Sequence, residues 1–411
     1  MLDKNGTRQL AYVAVVDSIS PIDGADRVEL AHVGGWQVMV RKGLYHPGDV
    51  AVYFEIDSKV AQTEAFEFLA PKHYAIKTQK YFKGKVLSQG LLMNSEELGW
   101  PAADNEHGIM RDAKGVEHHF NDESRFVTKE LGVTYYDPDD VKRKSMSSKD
   151  PYKVMTQRNR ELFKHFPFRQ LMRYPWGRKF LYIFFGHKKA PATAFPKKFA
   201  WIKPTDEERI ENLPTVLNDK RVLVATEKLD GTSSTYILER KGRRKFEFYV
   251  CSRNVRQLTP DQKTFHPYNI YWNMAIKYHI EDHLKQYLND NPDLEYVGLQ
   301  GESVGSVQGN PLKLKEDDFY GFNFIRSDVG RISSLDGKRI LESWGMKWVP
   351  IVSTNWVNPD TMKEMKTLAT GKSLVNPSVL REGLVYRDPK DNSFSFKNVS
   401  NEYLCTKDKN K

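Results

Sequence analysis

Between Leu10 and about Met93, short apolar runs alternate with turn residues. Ala11-Tyr12-Val13-Ala14-Val15-Val16 precedes a loop holding Pro21, Asp23 and Gly24, and Trp36-Gln37-Val38-Met39-Val40 follows Gly34-Gly35. After the turn His46-Pro47-Gly48-Asp49, Val50, Val52, Phe54 and Ile56 alternate with Ala51, Tyr53 and Glu55, the period of a strand. Val86-Leu87 and Leu91-Leu92-Met93 flank Ser88-Gln89-Gly90. Strands this short at this spacing predict a small antiparallel barrel of OB type, a fold that often binds nucleic acid.

The pattern then changes. Asn94 to Gly132 is polar; His107, His118 and His119 lie in it without a metal-ligand spacing and read as surface residues. Asp137 to Asp150, rich in Asp, Ser and Lys, reads as a linker. Thr205 with Glu208 three residues on makes a capping box, which predicts a short helix running to Asn212. The apolar run Val222–Thr226 predicts a strand, and Phe246-Glu247-Phe248-Tyr249-Val250 an alternating one. Tyr268 to Leu288 has helical period, with Ile270, Met274, Ile276, Ile280 and Leu284 available for a core. Leu294 to Leu299 and Asp318 to Phe324 read as strands, Ile340 to Trp344 as helix, and Leu380–Arg387 with Ser393–Asn398 as a closing strand pair.

At the end of the Val222–Thr226 run stands Glu227-Lys228-Leu229-Asp230-Gly231. In an extended segment Lys228 and Asp230 share a face, and Gly231 permits a tight turn or close approach. Such a lysine can act as a covalent nucleophile with the carboxylate steering a metal ion. It can equally be a solvated lysine in a hairpin, since the string arises by chance in about one chain in ten of this size.

With 411 residues the chain has room for two or three domains, and 39% hydrophobic residues suffice for sizeable cores. A formal charge of +10 and a pI near 9.2 favour a polyanionic partner such as nucleic acid. Two basic-aromatic stretches sharpen this. Lys72, Lys77, Lys80, Lys83 and Lys85 are interleaved with Tyr74, Tyr81 and Phe82. Further on, Arg158, Arg160, Lys164, Arg169, Arg173, Arg178 and Lys179 mix with Phe163, Phe166, Phe168, Tyr174, Trp176 and Phe180. Either stretch would line a single-stranded path by stacking and phosphate contact; a solvated loop and a helix docked on a domain are the plainer readings. Cys251 and Cys405 make neither a disulfide framework nor a zinc site, so a reducing compartment, cytoplasmic or similar, is expected. The N-terminus lacks an apolar signal core, and Phe180–Phe185 is too short to span a bilayer, which leads us to expect a soluble protein without membrane attachment.

Together these pieces resemble an ATP-dependent RNA ligase of the covalent nucleotidyltransferase superfamily, in the branch with an N-terminal OB domain. The resemblance spans roughly Gln9 to Gly132 and Phe199 to Leu404. It implies an α+β fold: an OB-type β-barrel domain over residues 1–135, a linker and basic-aromatic insertion over 136–195, and an antiparallel-sheet adenylyltransferase domain over 196–411. Glu227-Lys228-Leu229-Asp230-Gly231 resembles the family's first element, implying Lys228 as the adenylated residue with Glu227 beside the nucleotide. Ser252-Arg253-Asn254 resembles the next, whose Arg (Arg253) holds the nucleotide or the RNA end. Gly301-Glu302 resembles a later one, implying that Glu302 bonds the ribose. Phe319-Tyr320-Gly321-Phe322 implies Phe322 as the adenine-stacking ring. Glu382-Gly383 supplies a metal-supporting carboxylate alongside Asp230, and Lys397 resembles the second lysine of the closing element. Many relatives have Lys-x-Lys there, whereas this chain has Ser395 at the first position; Lys203 and Arg209 are candidates for the missing phosphate contact.

The resemblance also implies ATP as co-substrate, Mg²⁺ or Mn²⁺ as metal, and RNA with 5′-phosphate and 3′-OH ends as partner, acted on by a monomer. Nearby cations, Lys397 and the metal, would lower the charge of Lys228 and free its amine. A DNA ligase or capping guanylyltransferase shares the core chemistry but carries its OB domain after the catalytic one. An OB-containing RNA-binding protein with an inactive catalytic domain is the non-enzymatic alternative.

Overall fold

The computed structural model describes residues 1–136, 163, 165–185, 193–204, 206–242, 245–257, 259–260, 269–391 and 393–406. The linker read over Asp137–Asp150, and Arg158, Arg160, Lys164 and Thr205, lie outside the described residues. The chain divides into two compact units, one of 1–135, 194–257 and 267–411, the other of 136–193 and 258–266.

In the first unit the N-terminal strands close the OB-type barrel. Ala11–Val15, Val50–Phe54 and Leu91–Met93 form one antiparallel sheet, and Ser18–Pro21, Val28–Val33 and Trp36–Arg41 another. Every residue of Val50–Phe54 is buried, a stricter burial than its alternation implied. The reason is that the strand separates two cores. Val50, Val52 and Phe54 pack with Leu10, Phe66 and Met110, while Ala51 and Tyr53 pack with Trp36 and Val38. His118, read as a surface residue, is buried; its Nδ1 lies 2.7 Å from the Ser124 carbonyl and its Nε2 3.6 Å from Asp112.

Two further sheets make up the α+β domain that follows. The larger runs antiparallel through Lys245–Ser252, Thr232–Gly242, Tyr296–Val304 and Asp318–Arg326, and Lys347–Trp348 joins the last of these in parallel. Its core joins Tyr236, Leu238, Leu299 and Phe319 to Leu284, Leu288 and Leu341 from the covering helices. The smaller places Leu223–Lys228 between Ile351–Trp356 and Gly383–Arg387, with Ser395–Val399 beyond.

Two expected helices differ. Tyr268–Leu288 is broken into Ile270–Lys277 and Ile280–Asp290, with His279 left-handed at φ 48°. At about 100° per residue, Met274 and Ile280 would point roughly 240° apart on an unbroken helix. The break brings Ile280, Leu284 and Leu288 back to the core that Ile270 and Met274 face. Of the helix expected to run to Asn212, only Ile210–Asn212 forms a helical turn among the described residues, and Pro214–Asn218 follows it as a second. Residues 206–209 instead run beside the last strand. The Lys397 amide donates to the Glu208 carbonyl at 2.8 Å, and Arg209 bridges Lys397 in parallel. Backbone groups committed to a neighbouring strand are not available to a helix.

A short helix, Asn401–Thr406, ends the described chain and joins the domains. Its Asn401 amide donates to Gln37 of the barrel at 3.1 Å, and the Cys405 thiol donates to the Lys85 carbonyl at 3.4 Å. Among the described residues no helix is long and apolar enough to cross a membrane.

Candidate active site

A cleft of about 270 Å³ opens between the two sheets, lined in part by Glu227, Lys228, Arg253, Glu302, Phe322 and Lys397. They arrive from five strands or their ends, with Glu227 and Lys228 adjacent on one. Lys228 is the last residue of its strand and pairs with Gly383, which sets the preceding Glu382 against it. The Lys228 ammonium donates to Glu382 Oε2 at 2.6 Å. A Cβ on Gly383 would meet the Asn398 carbonyl oxygen at 2.1 Å, so the tight pairing beside Glu382 requires glycine. Gly231 is equally constrained: a Cβ there would sit 2.3 Å from the Ser303 carbonyl oxygen. Its amide donates to Glu302 Oε1 at 3.0 Å, tying the lysine loop to the larger sheet.

Burial works against charge on Lys228, but Glu382, then Glu302 and Asp230, outweigh it and hold its pKa above the ordinary lysine value. This reverses the expectation of an amine freed by neighbouring cations. Three carboxylates surround the ammonium, and Lys397 is occupied by Asp206 at 2.6 Å. Burial likewise pushes Glu302 up to about 8, against the pull of Lys228 and reinforced by Glu382. Crowded carboxylates in a hard-oxygen set suit a Mg²⁺ or Mn²⁺ ion. Among the described residues no three His, Cys, Asp or Glu groups converge as a ligand set.

Glu227 Oε2 accepts from the Leu374 amide at 2.7 Å, whereas its Oε1 is buried without a partner. Burial raises its pKa despite the hydrogen bonds. An orphaned acceptor on the cleft wall is a place for a ligand's donor.

Asp230 does not line the cleft with Lys228. Its Oδ2 accepts from the buried Tyr403 hydroxyl at 2.5 Å, on the helix that reaches the barrel. The expected shared face therefore holds only in part. The backbone leaves the strand after Lys228 and turns Asp230 toward the C-terminal helix. Lys203 and Arg209 are also absent from the cleft lining. The Lys203 carbonyl accepts from Gln300 at 2.9 Å, and the Arg209 guanidinium lies 5.6 Å over the Trp36 ring of the barrel.

Four lining residues were not legible beforehand. Asp206 bonds both Lys397 and Arg253 at 2.6 Å, and these cations hold its pKa below the ordinary value although burial opposes them. Glu207 accepts from Arg387 at 2.9 Å and from the Ser395 hydroxyl; its pKa is lowered too, Arg387 overcoming burial. Arg387 is buried, faces the Phe322 ring at 5.7 Å, and pairs across the ladder with Ser395 itself. Gln308 completes the group. The Asp206-Glu207-Glu208 run was the available signal, but it reads as the first turn of a helix.

Comparison with known proteins agrees with this geometry. Residues 10–94 match the model of an OB-fold domain, and residues 221–399 match that of RNA ligase. The structure of Naegleria gruberi RNA ligase with PPi is 26% identical, covering 97% of this chain and 98% of that one at a TM-score of 0.59. A mutant of that ligase with AMP and Mn is 26% identical, covering 98% and 100% at 0.61; another, with ATP and Mn, covers 96% and 98% at 0.60. Among curated proteins, no sequence matches the chain.

Proposed function

We propose that this chain, which matches the model of RNA ligase over residues 221–399 behind an OB-fold domain, is an ATP-dependent RNA ligase in which Lys228 carries the adenylate. The observation behind the assignment is the Lys228 ammonium in the cleft, 2.6 Å from Glu382 with Glu302 and Lys397 around it. The amine attacks the α-phosphorus of ATP; a P–N bond forms, the α–β P–O bond breaks, and pyrophosphate leaves. The AMP then moves to the 5′-phosphate of RNA, where an anhydride forms as the P–N bond breaks. A 3′-hydroxyl attacks that 5′-phosphorus, the phosphodiester forms, and AMP departs.

Lys228 needs help before the first step, since its carboxylate neighbours keep it charged. Glu382, with Asp230 once Tyr403 gives it up, would hold a divalent cation, whose positive charge would weaken those contacts and offset charge on the phosphate. Phe322 stacks the adenine, and Glu227 Oε1 accepts from its exocyclic amine. Lys397 and Arg253 take the phosphates once Asp206 releases them. Arg387 stands in for the lysine absent at position 395: it occupies the neighbouring strand at the paired position, within reach of the same cleft.

Incubation with α-labelled ATP and Mg²⁺ tests the assignment. Wild type acquires an acid-labile label on the peptide containing Lys228, and Lys228→Ala acquires none; label on the variant refutes it. Ligation of 5′-phosphate/3′-OH RNA against 5′-OH/2′,3′-cyclic-phosphate RNA, with DNA ends as control, tests the end chemistry. Sealing of the cyclic-phosphate pair alone would overturn it.

A further inference from the structure

The second unit has a core of its own and a surface with no evident role in the chemistry above. Phe163 and Leu181 are buried together, with Phe168, Leu171, Met172 and Tyr182 packed against them. The helices Phe168–Leu171 and Pro175–Phe185 carry these residues, except Phe163 and Met172. Outside that core, Phe166, Tyr174 and Trp176 are 81%, 52% and 62% exposed. Tyr174 and Trp176 stack on each other, their ring centroids 6.1 Å apart and the planes 20° from parallel.

From His165 to Phe185 the sequence contains no Asp or Glu, and Arg169, Arg173 and Lys179 are exposed among the aromatics. Exposed rings beside cations that form no ion pair among the described residues are poorly suited to bulk water and well suited to a polyanion with flat, stackable faces. We infer that this unit is a binding platform for single-stranded RNA, with Tyr174 and Trp176 extending the base stack and Arg169 and Arg173 meeting its phosphates. The enzyme's substrate class supplies the occupant, and the inference rests on that class, not on the lysyl-adenylate assignment. Base stacking tolerates any sequence, as a ligase for varied ends requires. An anionic membrane surface would also meet cations and aromatics, and Ile183, 68% exposed, would suit it. Phe166 and Tyr174 lie off the Pro175–Phe185 helix, however, so the rings do not form a single helical stripe of the interfacial kind.

The test uses the full-length protein, EDTA to stop ligation, and a fluorescein-labelled 20-nucleotide oligo(U) RNA followed by anisotropy. Tyr174→Ala/Trp176→Ala is expected to weaken binding by about 5- to 150-fold for each base stack lost. Arg169→Gln/Arg173→Gln is expected to reduce the slope of log affinity against log salt by about 0.7 per phosphate contact removed. Both variants should still self-label with α-labelled ATP, which shows them folded. RNA affinity within twofold of wild type in both variants overturns the platform. So does loss of flotation with phosphatidylcholine/phosphatidylserine vesicles at unchanged RNA affinity, which would identify a membrane-facing surface. Failure of the wild type to self-label would sink the Lys228 assignment and leave the RNA comparison intact.

Discussion

Asp206→Asn is predicted to tighten nucleotide binding, an unusual outcome for a change inside an active site. In the free enzyme this carboxylate holds Lys397 and Arg253, each at 2.6 Å, and both contacts must be given up before those cations reach a triphosphate. The Arg253 pair is more than half exposed on both sides, so it contributes about 0.2–1 kcal/mol. Lys397 is largely buried while Asp206 is not, which places the second contact near the lower end for charge-assisted hydrogen bonds, about 1.5 kcal/mol. Asparagine keeps an acceptor oxygen and so retains part of both. The net release is then about 0.7–2 kcal/mol, or roughly 3- to 30-fold in affinity at 1.4 kcal/mol per tenfold. Calorimetric titration with an α,β-methylene ATP analogue, which binds without transferring AMP, measures it directly. Binding that is unchanged or weaker in the variant would mean that Asp206 contributes to the nucleotide complex, and would refute its reading as a placeholder for phosphate.

Three further outcomes follow from the same site. Glu302 is pushed up to about 8, above its unfolded value, so the native protein holds a proton that the unfolded chain releases. The stability this contributes is complete below about pH 4.5 and is lost as pH rises through about 8; melting in EDTA should show a decline over that window that is shallower in Glu302→Gln, and parallel curves would contradict it. Arg387→Met leaves Glu207 with Arg331 at 3.8 Å and the Ser395 hydroxyl as remaining partners, and is expected to cost about 3 kcal/mol in denaturant unfolding. A loss below 1 kcal/mol would show the pair to be dispensable. Tyr403→Phe removes the phenol that Asp230 must give up before it serves a cation, so the Mg²⁺ concentration for half-maximal self-labelling should fall about tenfold with ATP affinity unchanged. An unaltered Mg²⁺ profile would separate Tyr403 from the metal.

Much of the fold could be read from residue order because its strands are short runs, apolar or alternating, bounded by turn residues. The Val50–Phe54 strand, the Asp318–Arg326 strand and the closing pair ending at Val399 all lie where the pattern put them. The failures have a common source in long-range competition. Residues 206–209 carry a helical start signal, yet their backbone is claimed by a strand almost two hundred positions later. The helix over 268–288 fails at Tyr278 because two apolar sets of different phase must reach one core. In the site, local motifs brought Glu227, Lys228, Arg253, Glu302, Phe322 and Lys397 to one cleft. They did not reveal that Arg387 faces Ser395 across a ladder, or that Tyr403 reaches back to Asp230. Those relations depend on strand register and domain packing, which no short string encodes. The charge state of Lys228 was misjudged for a related reason: Lys397 was visible as a neighbour, but not Asp206 already attached to it.

The helix Asn401–Thr406 has one end of its influence on the barrel, through Gln37 and Lys85, and the other on Asp230. Thermodynamic linkage makes such a connection two-way. Whatever free energy an occupant of the cleft spends in drawing Asp230 off the phenol, it withdraws equally from the seating of the helix on the barrel. A clamped barrel should therefore resist that occupant, and a loosened one welcome it, so the two halves of the enzyme keep account of each other through a single hydroxyl group.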